Sequence, residues 1–282
     1  MISVVIPACN EEGFVGECLL HILASEVPLS ENSDGAPMQV ILAANGCTDN
    51  TVDIARGFAA KFQARGVQFD ILNLPVGSKV RALNTATDTA LYDSIVYVDA
   101  DVHVSPGLVA GIAQVLDRPE PAYASGRPRI RPAKSFVSDR YARFWQTLPF
   151  VTNGVPGFGV YAANKAGRAR FEPFPDIIAD DAYIRFHFAS SEMHLVPHDY
   201  SWPITEQFSN LVRVRRRQNE GLAEIHTLLP DLVARSEPTK PGLRETVELM
   251  LRDPIGFSVY SAVAVTVKSP LLRNRSTWER GR

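Results

Sequence analysis

The chain is predicted to be an α/β protein built on a doubly wound, mostly parallel sheet with helices on both faces, followed by a C-terminal helical appendage. Three observations predict this. Short uninterrupted apolar runs recur through the first hundred residues, as in strands buried on both faces. Segments with apolar residues at helical spacing alternate with them. Polar clusters stand at Pro7–Glu12, Asn45–Asn50 and Asp99–Asp101, at the carboxyl ends of the runs, where such sheets hold ligands.

Ser3-Val4-Val5-Ile6 and Val40-Ile41-Leu42-Ala43 are the first two strands. Between them, Glu11 to Ala24 aligns Phe14, Val15, Cys18, Leu19 and Ile22 on one stripe. Thr48 or Asp49 caps a second helix through Phe62, and Val67 to Leu72 forms a third strand. Arg81 to Leu91 is a further helix, and Ser94 to Val98 a fourth strand that ends at Asp99-Ala100-Asp101. After about residue 120 the alternation weakens: Pro119, Pro121, Pro128 and Pro132 punctuate it, a helix is expected from Ser135 to Leu148, and Asn153 to Gly159 is rich in glycine. Ser236 to Gly242, with two prolines, reads as a linker. The expected organisation is one domain over residues 1–235, with halves 1–118 and 119–235, and an extension over 236–282.

With 282 residues and 45% apolar content, the chain can bury a large core. A net charge of −2 argues against a nucleic-acid partner held by bulk electrostatics, despite the local basic run Arg213, Arg215, Arg216 and Arg217. Cys9, Cys18 and Cys47 are odd in number and lack zinc-finger spacing, so a disulfide framework or structural zinc is not expected, and a reducing cytoplasm is the simplest home. Met1 to Ile6 runs directly into a strand with no basic leader. The apolar stretch Ile255 to Val267 is too short to span a bilayer. With Lys268, Arg273 and Arg275 behind it, this stretch either packs on the domain or makes peripheral contact with the inner face of a membrane.

Asp99 and Asp101, two residues apart where a buried strand ends, can face one hard cation, Mn²⁺ or Mg²⁺, that also holds a diphosphate; a solvated acidic turn has the same spacing. Lys79, after Gly77-Ser78 and before a helix, could meet a phosphate. Asp180 and Asp181 are adjacent acids at a helix start, suited either to capping or to general-base work. His103, His187, His194 and His198 offer one further metal ligand.

Read together, Ser3-Val4-Val5-Ile6-Pro7-Ala8-Cys9-Asn10-Glu11-Glu12, Ala44-Asn45-Gly46-Cys47-Thr48-Asp49-Asn50-Thr51, Lys79 with Ala82-Leu83-Asn84, and Asp99-Ala100-Asp101 resemble the ordered motifs of family 2 glycosyltransferases with the GT-A fold. The resemblance runs from residue 1 to about 230 and is strongest before 105. It implies an inverting transfer of a sugar from a nucleotide-sugar donor to a hydroxyl acceptor, whether glycan, lipid-linked or small molecule. Residues 1–118 would bind the donor and 119–235 the acceptor. Pro7, Ala8, Asn10, Glu11, Asn45 and Lys79 would line the donor site, Asp99 would approach ribose or metal, and Asp101 would bind metal. Asp181, beside Asp180 in Pro173–Tyr183, aligns with the general base. Arg215 and Arg217 would offset charge on the departing diphosphate. Two departures matter. Ala44-Asn45 stands where the family commonly has two aspartates, one meeting uracil, so the resemblance does not extend to a uridine donor. Gln218 stands where processive members have Trp, which favours single transfer. The competing readings are an inactive nucleotide-sugar-binding module and a sugar-phosphate nucleotidyltransferase. The latter requires a Gly-rich phosphate loop that Pro7–Glu11 does not supply.

Overall fold

In this computed structural model, the described residues are 1–26, 37–171, 173–235 and 241–270. The helices in chain order begin with α1 (Val15–Leu23), α2 (Thr51–Arg56), α3 (Ala59–Ala64), α4 (Lys79–Thr89) and α5 (Leu108–Leu116). They continue with α6 (Phe136–Trp145), α7 (Pro149–Thr152), α8 (Lys165–Arg168) and α9 (Asp180–Arg185). The last are α10 (Phe208–Leu228), α11 (Pro230–Arg235), α12 (Leu243–Arg252) and α13 (Pro254–Lys268). The strands are β1 (Ile2–Ala8), β2 (Met38–Asn45), β3 (Gln68–Leu74), β4 (Ile95–Val98), β5 (His103–Val104), β6 (Tyr123–Ile130), β7 (Val160–Ala163) and β8 (Met193–Trp202). The chain divides into two compact units, residues 1–128 with 157–202, and residues 129–156 with 203–282.

In the first unit one sheet has the order β3-β2-β1-β4-β7-β6-β8-β5. The β3-β2-β1-β4 half is parallel, and β7 turns the sheet antiparallel by pairing with β4, Val96 opposite Ala162. The sheet is therefore mixed, with the parallel half expected from the sequence and an antiparallel half where the strand–helix alternation fades. Successive side chains point to opposite faces, so each parallel strand needs cover on both. Val4, Ile6, Val40, Leu42, Val96 and Val98 join the core packed by α1, α3 and α5 through Val15, Leu19, Ile22, Phe62, Leu108 and Ile112. The opposite face meets α4, whose Thr87 hydroxyl lies 3.0 Å from the Tyr97 hydroxyl.

Several boundaries differ from the sequence reading. α1 starts at Val15 because residues 11–14 form a turn, with Val15 N bonded to Glu11 O. The helix expected through Phe62 is broken into α2 and α3 at Gly57-Phe58. α4 begins at Lys79, with the Ser78 hydroxyl accepting from Arg81 N, and Ser135 caps α6 in the same way.

The second unit is helical. Tyr141 and Phe144 of α6 pack on Tyr260 and Phe257 of α13, with ring centroids 5.4 and 5.8 Å apart. Leu211, Val212, Ile225 and Val263 are buried. In this unit α6, α10, α12 and α13 lie together, with aromatic side chains far apart in sequence sharing its core. Helix α13 takes in the Ile255–Val267 stretch and packs against α6, one of the two alternatives left open by the sequence. The linker residues 236–240, and Arg273 and Arg275, lie outside the described residues. No helix among the described residues is long and apolar enough to cross a membrane.

Candidate active site

The loops that follow β1 and β2 are tied to each other by the motif side chains. Asn10 adopts the left-handed conformation, φ 53°, and its Oδ1 accepts from Thr48 N at 2.6 Å. Glu11 N donates to Thr51 Oγ1 at 2.6 Å, and Glu12 accepts from the Asn50 backbone and side chain at 3.2 and 2.9 Å. Asp49 accepts from Glu12 N and from Thr51; these bonds outweigh the upward push of burial and hold its carboxyl below the ordinary value. Pro7 and Ala8 are buried within β1.

Asn45 is buried at the tip of β2, 2% exposed. Its amide donates to Ala8 O at 2.9 Å and Ala43 O at 3.3 Å, while its Oδ1 accepts from Ser78 N at 3.0 Å. The side chain thus spends its hydrogen bonds on the framework. Gly46 beside it has φ 60°, and a Cβ there would lie 2.5 Å from Gly77 N, so only glycine lets the two turns touch. Together they fix the Gly77-Ser78 turn and hence the first residue of α4, Lys79.

Lys79 is the hub. Its Nζ lies 2.9 Å from Asp99 Oδ1 at the tip of β4 and 2.9 Å from Asp180 Oδ1 in the first turn of α9. Burial pushes the ammonium down, but the charges of Asp180 and Asp99 outweigh it and hold its pKa above the ordinary value. Asp180 is buried and accepts from the Tyr161 hydroxyl of β7 at 2.5 Å. Burial first, then the Asp180 charge, push that phenol far up, so Tyr161 stays a donor. Asp181, next to it, accepts from the Ala182 amide at 2.8 Å. Its carboxyl is pushed up to about 6, first by burial and then by the Asp180 charge, with Lys79 opposing.

Two further features hold this arrangement. Asn84 and Phe174 exchange reciprocal bonds, both 2.9 Å, which pin the segment before α9 to α4. Asp99 N donates to Gly159 O at 2.9 Å, and Val102 N closes the turn onto Asp99 O at 3.0 Å, leaving Asp101 partly exposed on that turn. Asp99 and Asp101 supply hard carboxylate oxygens, the donor type that Mn²⁺ and Mg²⁺ prefer.

The structure brings Lys79, Asp99, Asp180 and Asp181 together, and places Asp101 and the Asn10–Glu11 loop at neighbouring strand ends of the same unit. The later histidines have other occupations. His187 donates to Tyr183 O at 2.8 Å, His194 lies 3.1 Å from Arg118, and the His198 ring fills the space over Gly107 and Gly111. Arg215 and Arg217 lie on α10 in the second unit; Arg215 donates to the Tyr260 hydroxyl at 3.2 Å, and Arg217 is exposed. Tyr161 and the positioning roles of Asn45 and Asn84 were not read from the sequence. Tyr161 sits as one hydroxyl in the apolar run Val160–Ala163, a weak sign of a buried polar partner.

A parallel α/β half whose strand tips carry acids and a lysine, continued by antiparallel strands and a second acid pair, is an architecture of the GT-A class. The chain belongs to glycosyl transferase family 2, whose model matches residues 3–172, and is a glycosyltransferase. Among curated proteins none matches it in sequence. Solved structures share the fold. The mannosyltransferase PcManGT from Pyrobaculum calidifontis, in complex with GDP-Man and Mn²⁺, is 18% identical with a TM-score of 0.54 over 95% of this chain and 75% of that one. S. aureus TarS 1-349 in complex with UDP-GlcNAc is 15% identical with a TM-score of 0.53, covering 94% and 81%. Glucosyl-3-phosphoglycerate synthase from Mycobacterium tuberculosis, in complex with Mn²⁺, UDP and glucosyl-3-phosphoglycerate, is 18% identical with a TM-score of 0.52, covering 80% and 79%.

Proposed function

We propose that this glycosyltransferase moves a sugar, with inversion, from a nucleotide-diphosphate sugar to a hydroxyl acceptor, which could be a glycan, a lipid-linked saccharide or a small molecule. One observation carries the reading: a single ammonium, Lys79 Nζ, lies 2.9 Å from both Asp99 and Asp180, so the acids at the donor end of β4 and those of α9 converge on one place. Asp181 is the general base. Its raised carboxyl, about 6, suits it to take the proton of an attacking hydroxyl near neutral pH. Asp180, held by Lys79 and Tyr161, stands beside it and positions the ammonium.

Asp99 and Asp101 would hold Mn²⁺ or Mg²⁺, which, bound there, offsets negative charge on the departing diphosphate. Lys79 faces the same group and contributes its own positive charge. Asn10 and Glu11 shape the nucleotide end of the pocket, with the backbone of Pro7 and Ala8 beneath. Asn45 acts by positioning Ser78 and Lys79. In the second unit, Leu243, Leu251, Ile255 and Val265 of α12 and α13 stay exposed while Phe257 and Tyr260 pack on α6, which leaves these side chains for peripheral contact with a membrane.

The test is a thermal-shift screen of nucleoside diphosphates with and without Mn²⁺, followed by transfer assays with the matching sugar donor. Asp101→Ala is expected to lose Mn²⁺-dependent donor binding. Asp181→Asn is expected to bind donor as the parent does and to lose transfer. Equal loss of binding in both variants contradicts the assigned roles.

A further inference from the structure

We propose a second divalent-cation site, formed by Glu17, His21 and His103, that takes a borderline metal such as Zn²⁺ and clamps α1 to β5. One ring nitrogen from each histidine and a carboxylate oxygen of Glu17 lie within 4.8 Å of one another. Glu17 and His21 are four residues apart on α1 and therefore share a face. His103 opens β5, and its ring stacks on that of His21 with centroids 4.4 Å apart and planes inclined by 14°.

The hydrogen bonding of His21 favours ligation. Its Nδ1 lies 3.1 Å from Val104 O, and a carbonyl can only accept, so Nδ1 is the donor there and Nε2 is the ring nitrogen a metal would take. A backbone carbonyl behind one ring nitrogen is the usual support of a metal-bound histidine, because it fixes tautomer and ring orientation. The platform is firm: Val15, Cys18, Leu19 and Ile22 bury the other face of α1 in the core, and β5 is held by β8 through His103 opposite Ser201. Two imidazoles and one carboxylate suit Zn²⁺ with a fourth position open, whereas the all-carboxylate pair Asp99 and Asp101 suits Mg²⁺ or Mn²⁺. The two sites thus differ in ligand type. His103 follows Asp101 by two residues and α1 follows the Asn10–Glu11 loop, so a cation here would stiffen the supports of the donor site on two sides.

The experiment is thermal unfolding and titration calorimetry of the full chain with ZnCl₂. Near a hundredfold excess over Kd the midpoint is expected to rise by roughly 5 °C. His103→Gln is expected to lose the rise relative to its own metal-free midpoint, and Asp101→Ala to keep it. Glu17→Gln, a change at an exposed position, is expected to weaken zinc binding about tenfold or more, and it serves if His103→Gln fails to fold. No zinc-induced rise in the parent overturns the proposal. So does a rise that survives His103→Gln and Glu17→Gln but vanishes in Cys9→Ser/Cys47→Ser, which would assign the zinc to thiols.

Discussion

Replacing Asp181 by asparagine tests the electrostatics of the site while keeping its shape, since the amide oxygen can still accept from Ala182 N. In the folded, metal-free chain the Asp181 carboxyl is raised from its ordinary 3.8 to about 6. Between those values the folded form holds the proton more tightly than the unfolded chain does. Stability therefore falls as pH rises through that window, and the deficit is complete above pH 6. At about 1.4 kcal/mol per pH unit the ceiling is about 3 kcal/mol. Asp181 is only partly buried, and solvent screening brings the expected deficit to about 1–2 kcal/mol. Asparagine carries no such penalty, so Asp181→Asn should melt about 3–6 °C above the parent at pH 7–8, and the two should converge below about pH 4. Differential scanning calorimetry in EDTA over pH 4–8 measures this; contributions from groups remote from Asp181 cancel in the difference, and those of its charged neighbours Asp180, Lys79 and Asp99 are part of the effect measured. A gap that stays constant across the range refutes the assignment of a raised carboxyl to Asp181.

Two further substitutions probe the frame around it. Lys79→Met leaves Asp180 buried with Tyr161 as its remaining partner. The expected loss is about 1–3 kcal/mol, below the range for a fully buried pair because Lys79 keeps 39% exposure. Adding Asp180→Asn should recover part of it in a double-mutant cycle, and strict additivity would show the ion pair to be idle. Gly157→Ala places a methyl against the Tyr123 hydroxyl at φ 72°, so thermal unfolding should show a loss of about 2–4 kcal/mol. Among the described residues that buried hydroxyl has no hydrogen-bond partner, so Tyr123→Phe in the same chain should return the steric share and leave the backbone share.

What could be read in the sequence follows from how far each signal reaches along the chain. β1, β2 and β4 are buried on both faces, and that produces the unbroken apolar runs from which they were read. Their tips, and therefore Asn10, Asp99 and Asp101, followed from the same alternation, whereas Lys79, which opens α4, was singled out by its place before Ala82-Leu83-Asn84 in the family's motif. The antiparallel half was not legible: β6 contains Gly126 and Pro128, β8 contains Pro197, and all three residues mimic loop signals in strands held by their neighbours. The division into units was hidden for a related reason, because the Tyr141–Tyr260 and Phe144–Phe257 contacts join segments more than a hundred residues apart.

Within the site, residue type was legible and partnership was not. Asp180 and Asp181 stood out as adjacent acids, yet their different environments come from Lys79 and Tyr161, each on another element of the sheet unit. Asn45 shows the same limit in reverse. Its position in a motif suggested contact with the donor, whereas burial commits its amide to Ala8, Ala43 and Ser78. In the proposed function its influence passes through the placement of Lys79. A motif can thus mark a residue the site needs without saying whether that residue touches the ligand; the hydrogen bonds it makes in the fold decide between the two roles.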